Sequence, residues 1–287
     1  MTLIIRSLSL MLIAVLGLLP VSYAEDSGGQ VLLLSKSQAF QHEPIAEKEG
    51  QDSQVEIILR DLLAEHGMTL TATKDAGSIN AENLKSYKLV IFYTQGDLTQ
   101  SGLDKHPPMA ADGVAALTEW IKAGGGFMGF HSAADTLRSK AGDDPTPYTN
   151  MIGAAFRGHG RQFVGTVRPV DREHPTMASL PKAFAIRDEW YVFQQMNTDA
   201  IHVLALLDAG EERGRQKMYD TEPYPIVWCR ASGEGRIYYN AMGHRPDVWE
   251  NETFLSTVDD AVLWAIGEGP ARAEPNYASV AEPGTDD

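Results

Sequence analysis

Between Val31 and Phe130 the chain alternates short, unbroken apolar runs with stretches of helical apolar spacing, and this alternation restricts the fold more than any other feature. Val31-Leu32-Leu33-Leu34 reads as a strand covered on both faces, because a strand with one wet face would alternate. Ser53 to Glu65 then predicts a helix, with Val55, Ile58, Leu59, Leu62 and Leu63 on one side. Ser53 and Glu56 form a capping-box pattern, and Gly67 is suited to the positive φ of a helix stop. Met68 to Thr73 and Lys88 to Tyr93 predict further strands. A helix bearing Val114, Leu117, Trp120 and Ile121 stops at Gly124-Gly125-Gly126, and Phe127 to Phe130 is a strand that runs directly into His131. Strands alternating with helices imply βαβ units, a mostly parallel sheet and helices on both faces.

The second half is richer in strands, expected over 163–170, 183–188, 202–207, 226–230 and 236–240. Gly233-Glu234-Gly235 suits the turn between the last two, and Thr253 to Ile266 is a final amphipathic helix. Residues 270–287 hold three prolines and several small or acidic residues, and read as a disordered tail. With no repeat and no internal linker, one domain over residues 25–269 is expected.

The first 24 residues have the pattern of a cleavable signal peptide: Arg6, the apolar run Leu8 to Leu19, and small residues in Ser22-Tyr23-Ala24. The run is shorter than the ~20 residues of a membrane span, and no later segment is apolar enough to be one. The expectation is a periplasmic or secreted protein, free of the membrane once cleaved after Ala24. The net charge of −15 argues against nucleic acid or anionic membrane as partners. Cys229 is the only cysteine, so no internal disulfide forms. It lies in the apolar run Pro225 to Cys229 and reads as a buried structural thiol.

Ligands of open α/β sheets bind beyond the carboxyl ends of the strands. The polar residues expected there are His42 in the loop after the first strand, Gln95 and Asp97 after the third, His131 and Ser132 after the fourth, Glu189 after the strand that ends near Asp188, and Asn240 and His244 after the last; His159 sits in the loop Gly158-His159-Gly160. Four of the eight histidines thus fall where one edge could gather them, as a polar pocket or as a metal site of imidazoles plus Glu189 or Asp188. Gly129 to Ala133 has the form of a strand-to-helix elbow, but His131 occupies the place where such elbows carry Ser or Cys. Ser132, one residue off, is expected to cap the next helix rather than attack a substrate. Gly124-Gly125-Gly126 precedes a strand and therefore cannot form a phosphate loop of the strand-to-helix kind.

In order along the chain, Phe40-Gln41-His42, Gly124 to Thr136, Ile152 to His159, Asp188-Glu189-Trp190-Tyr191, Pro225 to Trp228 and Gly235 to His244 resemble the ThuA-like (trehalose-utilisation) family. The resemblance spans Val31 to Gly267. It implies a class I glutamine amidotransferase-like fold, a flavodoxin-type three-layer α/β sandwich, and a role in carbohydrate catabolism that includes 3-keto-sugars. It also admits a divalent metal such as zinc near the matched histidines. The absence of an elbow cysteine argues against thiolate-dependent glutamine hydrolysis.

Together these readings lead to an exported hydrolase or lyase acting on a glycoside or 3-keto-sugar, with a small-molecule carbohydrate as partner and a homo-oligomer left open. The residues expected to carry catalysis are His131, Glu189 and Asp188. Those expected to bind substrate are His42, Gln95, Tyr191 and Asn240, and those expected to hold metal are His131, His159, His244 and Glu189. Trp190, Tyr191, Phe130 and Trp249 are candidates to stack on sugar faces, with core packing the competing role for Phe130 and Trp190. The adjacency of Asp188 and Glu189 is a poor match to an ordinary two-carboxylate glycosidase. A sugar-binding protein without catalysis is the alternative, using the same pocket.

Overall fold

The computed structural model describes residues 29–103 and 105–280; the expected leader lies outside the described residues. The strands are β1 (Gln30–Leu34), β2 (Thr69–Thr73), β3 (Leu89–Phe92), β4 (Gly126–Phe130), β5 (Ala155–His159), β6 (Phe163–Pro169), β7 (Phe184–Asp188), β8 (Tyr191–Gln194), β9 (His202–Asp208), β10 (Tyr224–Ser232) and β11 (Gly235–Asn240). The helices are α1 (Gln54–Glu65), α2 (Gly113–Lys122), α3 (Pro147–Ile152), α4 (Glu252–Ala265) and α5 (Tyr277–Val280).

The main sheet has the order β2-β1-β3-β4-β11-β10-β9-β6-β7. Neighbours are parallel from β2 to β11 and antiparallel from there to β7, so that seven of its nine strands point the same way. The order of the first five is the flavodoxin-like doubly wound order, with a switch point between β1 and β3. β1 and β3 are buried almost throughout, as strands covered on both faces must be. Gly126 and Gly129 of β4 face opposite sides of the sheet. A methyl on Gly126 would strike Ala265 of α4, and one on Gly129 would meet Ile152 of α3. Helices therefore cover both faces, as expected for a three-layer sandwich.

Local signals placed several boundaries well. Ser53 and Glu56 form the reciprocal capping box, and Gly67 takes a φ of 68°. Two elements go beyond the strands expected from the sequence: β5 and β8 pair as a separate antiparallel ribbon, interrupted by an irregularity between Phe156 and Gly158. β5 mixes small, charged and apolar residues and so has no clear period of two.

The expectation of a disordered tail from residue 270 requires correction for the described part. Asn276 accepts from the Val203 N–H at 2.6 Å and donates to the Val203 carbonyl at 3.1 Å. Arg272 pairs with Asp171, and Ala273 is buried. The segment thus binds main-chain groups of β9, a non-local partnership that composition does not reveal.

A candidate metal centre at the carboxyl ends of the parallel strands

His131 directly follows β4 at the head of a tight 3₁₀ turn, His131–Asp135, with a φ of +41°. A positive φ is costly for a side chain of this size and marks the elbow as a constrained position. The His131 carbonyl accepts from the Tyr239 hydroxyl at 2.7 Å. Its Nδ1–H donates to the Ala241 carbonyl at 2.9 Å, which leaves Nε2 unprotonated in the neutral ring and turned to the site. Ser132 is not a cap: it is buried within the turn, and its hydroxyl has no hydrogen-bond partner.

His244 arrives from the loop after β11. Gly243, at a φ of +113°, shapes this loop; its carbonyl accepts from the Tyr93 hydroxyl and the Trp249 indole, and its N–H donates to Asp188. His244 Nδ1 lies 3.2 Å from His131 Nε2. His42 enters from the loop after β1, its ring edge-on to those of His131 and His244 at 4.9 and 5.1 Å between centroids. Glu189 comes from the link between β7 and β8, with Oε1 at 3.2 Å from His244 Nδ1 and 3.6 Å from His131 Nε2.

One ligating atom from each of His42, His131, Glu189 and His244 lies within 4.8 Å of all the others. A tetrahedral zinc site with arms of ~2.0–2.1 Å has edges of roughly 3.3–3.4 Å, which the His131, His244 and Glu189 separations match. The His131–Ala241 hydrogen bond is the outer contact that orients metal-binding imidazoles. His42 Nδ1 is buried without a partner, an unsatisfied group that costs ~1–3 kcal/mol unless something occupies the site. Burial, and then the neighbouring imidazoles, hold the His42 pKa well below that of a free histidine and keep it neutral, as ligation requires. Burial pushes the Glu189 carboxyl upward, but the adjoining His131 and His244 imidazoles outweigh it and hold its pKa well below the usual carboxylate range. The donor set fits a divalent metal.

The structure redistributes the expected roles. His159 stands beside the quartet, not in it: it is half-exposed, and its Nδ1 lies 3.2 Å from Glu189 Oε2, the oxygen turned away from His131 and His244. His42, expected to bind substrate, belongs to the quartet. Asp188, expected to be catalytic, spends one oxygen on the Glu189 N–H at 2.9 Å and the other on the Gly243 N–H at 2.7 Å, so it positions two of the loops. Burial raises its pKa. Gln95 bonds its neighbours: its carbonyl oxygen accepts from the N–H groups of Ala39 and Phe40, and its amide donates to Asp135. Asn240 likewise bonds Met242 N–H, Tyr238 and Thr257 within the core. Tyr191 packs against the His131 ring at 4.1 Å.

Phe130, Trp190 and Trp249 are fully buried and cannot receive a sugar. The exposed aromatic at the site is Phe40, 55% accessible and 4.9 Å from the His42 ring. Its sequence signal was its place in the segment Phe40-Gln41-His42, which does not say that the ring is exposed. Phe40, Gln41, Gln162, His244 and Arg245 line a cavity of about 630 Å³ at the cluster. Cys229 is remote in role: it is buried in β10 with its Sγ 3.5 Å from His174 Nε2, and burial pushes its thiol pKa up, which suits a structural thiol.

The chain is similar in fold to a protein described as thua-like from Bacteroides uniformis, with 21% identity over 90% of this chain and 98% of that one and a TM-score of 0.64. A second thua-like protein, from Parabacteroides merdae, has 14% identity over 84% and 90% of the two chains and a TM-score of 0.62. A β-galactosidase from Bacillus circulans contains a similar fold in 32% of its length, with 12% identity over 87% of this chain and a TM-score of 0.50. No curated protein matches the chain. The ThuA family profile, described as trehalose utilisation, matches residues 30–265. The chain therefore belongs to the ThuA family, which ties it to carbohydrate metabolism.

Proposed function

We propose that the protein is an enzyme acting on a glycoside or 3-keto-sugar, with His42, His131, His244 and Glu189 holding a divalent metal such as zinc. The observation that carries this reading is the convergence of three imidazoles and one carboxylate within 4.8 Å, at the strand ends where α/β sheets bind ligands. When bound, such an ion supplies a Lewis acid that polarises a carbonyl or acidifies water.

The chain's own residues supply the rest. Glu189 is committed to the quartet, with Oε1 beside His131 and His244, and so is not the free base. His159 is better suited: its Nδ1–H donates to the Gly160 carbonyl at 3.0 Å beside Glu189 Oε2, leaving the Nε2 lone pair free at the half-exposed rim. In a 3-keto-glycoside the ketone acidifies the adjacent C–H. His159 Nε2 takes that proton, the electron pair forms the new double bond, and the glycosidic oxygen leaves with its bonding pair. A positioned base of this kind contributes roughly 10²–10⁴-fold in rate. Phe40 offers its exposed face to the sugar ring. The leader-like residues 1–24 support a place of action in the periplasm or outside the cell.

The test joins metal analysis of the purified full chain, after chelation and reloading with zinc, to turnover of a panel of glycosides and 3-keto-glycosides. One equivalent of metal, with turnover of a ketone substrate lost in His159→Gln while metal is retained, is the expected result. No stoichiometric metal, no turnover and sugar binding intact in His131→Ala would overturn it in favour of a non-catalytic sugar-binding protein.

A further inference from the structure

The site has a second lobe. Gly160, Arg161, Gln162, Arg187, Glu189 and Gln216 border a cavity of about 560 Å³. Glu189 is common to this lobe and the metal cluster, and Gln162 is common to this lobe and the cavity under Phe40. The two lobes differ in charge. In the Phe40 lobe Arg245 is neutralised by Asp247, at 2.8 Å. In the second lobe, Arg161 and Arg187 form no close ion pair among the described residues and feel the charges of Glu212 and Asp247 at longer range, although the chain carries 39 acidic residues against 24 basic ones. Glu212, the other acid bordering the lobe, is already committed to Arg215 at 3.3 Å and to the Gln216 amide at 2.8 Å.

The lobe is also built. Gln216 accepts from the Arg161 N–H at 2.7 Å and returns its amide to the Arg161 carbonyl at 3.4 Å. The Gly160 N–H donates to the Tyr219 hydroxyl at 2.7 Å, and a methyl on Gly160 would lie 2.3 Å from Gln216 Oε1 and 2.7 Å from the Tyr219 ring, so the close approach relies on the absence of a side chain. Arg187 immediately precedes Asp188, whose two oxygens are tied to main-chain N–H groups. Both guanidinium groups therefore spring from anchored backbone.

We propose that this lobe binds an oxyanion carried by the substrate, which makes the sugar an acidic one; the inference rests on the carbohydrate reading of the site and names its substrate class. Guanidinium groups pair with carboxylate and phosphate oxygens through planar, charge-assisted hydrogen bonds. The aromatic lobe takes the neutral ring, and the two guanidinium groups take the charged substituent on the far side of Glu189.

The experiment is calorimetric titration of the zinc-loaded full chain with D-glucuronate, D-glucose 6-phosphate and D-glucose, repeated at high salt and with R161Q/R187Q. At least one anionic sugar is expected to bind about tenfold or more tightly than glucose, and which of the two does so separates a carboxylate from a phosphate substituent. The double variant, with its circular dichroism preserved because both side chains are exposed, is expected to lose that preference, and high salt to weaken it. Equal affinity for all three sugars, or a preference that survives the double substitution, would overturn the anionic lobe while leaving the metal-enzyme reading intact. Binding of none of the three would overturn the lobe, and loss of stoichiometric zinc would identify failure of the metal centre itself.

Discussion

The carboxylate of Asp188 accepts a hydrogen bond from the N–H of Gly243 at 2.7 Å, and so ties the link that carries Glu189 to the loop that carries His244. The second oxygen of Asp188 takes the Glu189 N–H, so one buried side chain aligns two members of the quartet. Removing it in Asp188→Ala leaves two main-chain N–H groups without their acceptor. The expected cost is about 2 kcal/mol or more, read by urea denaturation. Zinc affinity is expected to fall by ~10–100-fold, as when outer-shell partners of metal ligands are lost.

The positive φ of His131 separates backbone strain from ligation. His131→Ala and His131→Gly both remove the imidazole and should both lower bound zinc. Glycine adopts this backbone without strain, so His131→Gly is expected to be more stable than His131→Ala by about 1 kcal/mol. At ordinary helix or strand positions the order is reversed. Paired denaturation curves with metal analysis check both halves of the prediction.

Acid should destabilise the protein in two stages. His42 is neutral in the folded state, with its pKa depressed chiefly by burial, so the unfolded chain binds the proton more readily. Stability therefore falls as the pH drops below the unfolded histidine value near ~6.5. Glu189 has a depressed folded pKa, so its contribution is present above the unfolded value near ~4.3 and is lost as the pH falls towards the folded one. Melting temperature followed from pH 8 to pH 4 should decline across the first window, and His42→Gln should flatten that decline.

Phe40→Ala tests the exposed aromatic apart from the metal centre. Bound zinc should be unchanged, while KM for a turned-over sugar rises by roughly three- to tenfold, as expected for loss of a partly exposed stacking face. A change in kcat alone would place Phe40 outside the binding surface.

The C-terminal segment offers a stability test. Truncation after Gly269 removes the Asn276 contacts with Val203, the Arg272 pairing with Asp171 and the Glu274 carbonyl that lies 2.6 Å from His202 Nδ1. A disordered tail would be dispensable. The docked segment predicts a melting temperature lowered by several degrees, since ~1–2 kcal/mol in a domain of this size shifts it by that much.

Local pattern alone determined a great deal. The apolar runs of β1 and β3, the Ser53–Glu56 capping box and the periodicity of α1 and α4 are legible because each depends on neighbours within a few residues. The same reasoning placed His131 at a strand end and picked out the loops of His42, Glu189 and His244. The chain topology then decided which side chains meet. His131 and His244 are 113 residues apart in sequence, and their contact depends on β11 lying parallel beside β4. His42 rather than His159 completes the quartet because the loop after β1 turns inward at the switch point, whereas the end of β5 stays at the rim beside Glu189. Asp188 could not be recognised as a positioning group from its adjacency to Glu189, since its second partner is Gly243. Nor does residue type separate Trp190 and Trp249, enclosed in the core, from the exposed Phe40. Hydrophobic periodicity reports which face of an element is buried. Only the packing of distant elements fixes which polar groups share a cavity, because that contact is made across the sheet and not along the chain.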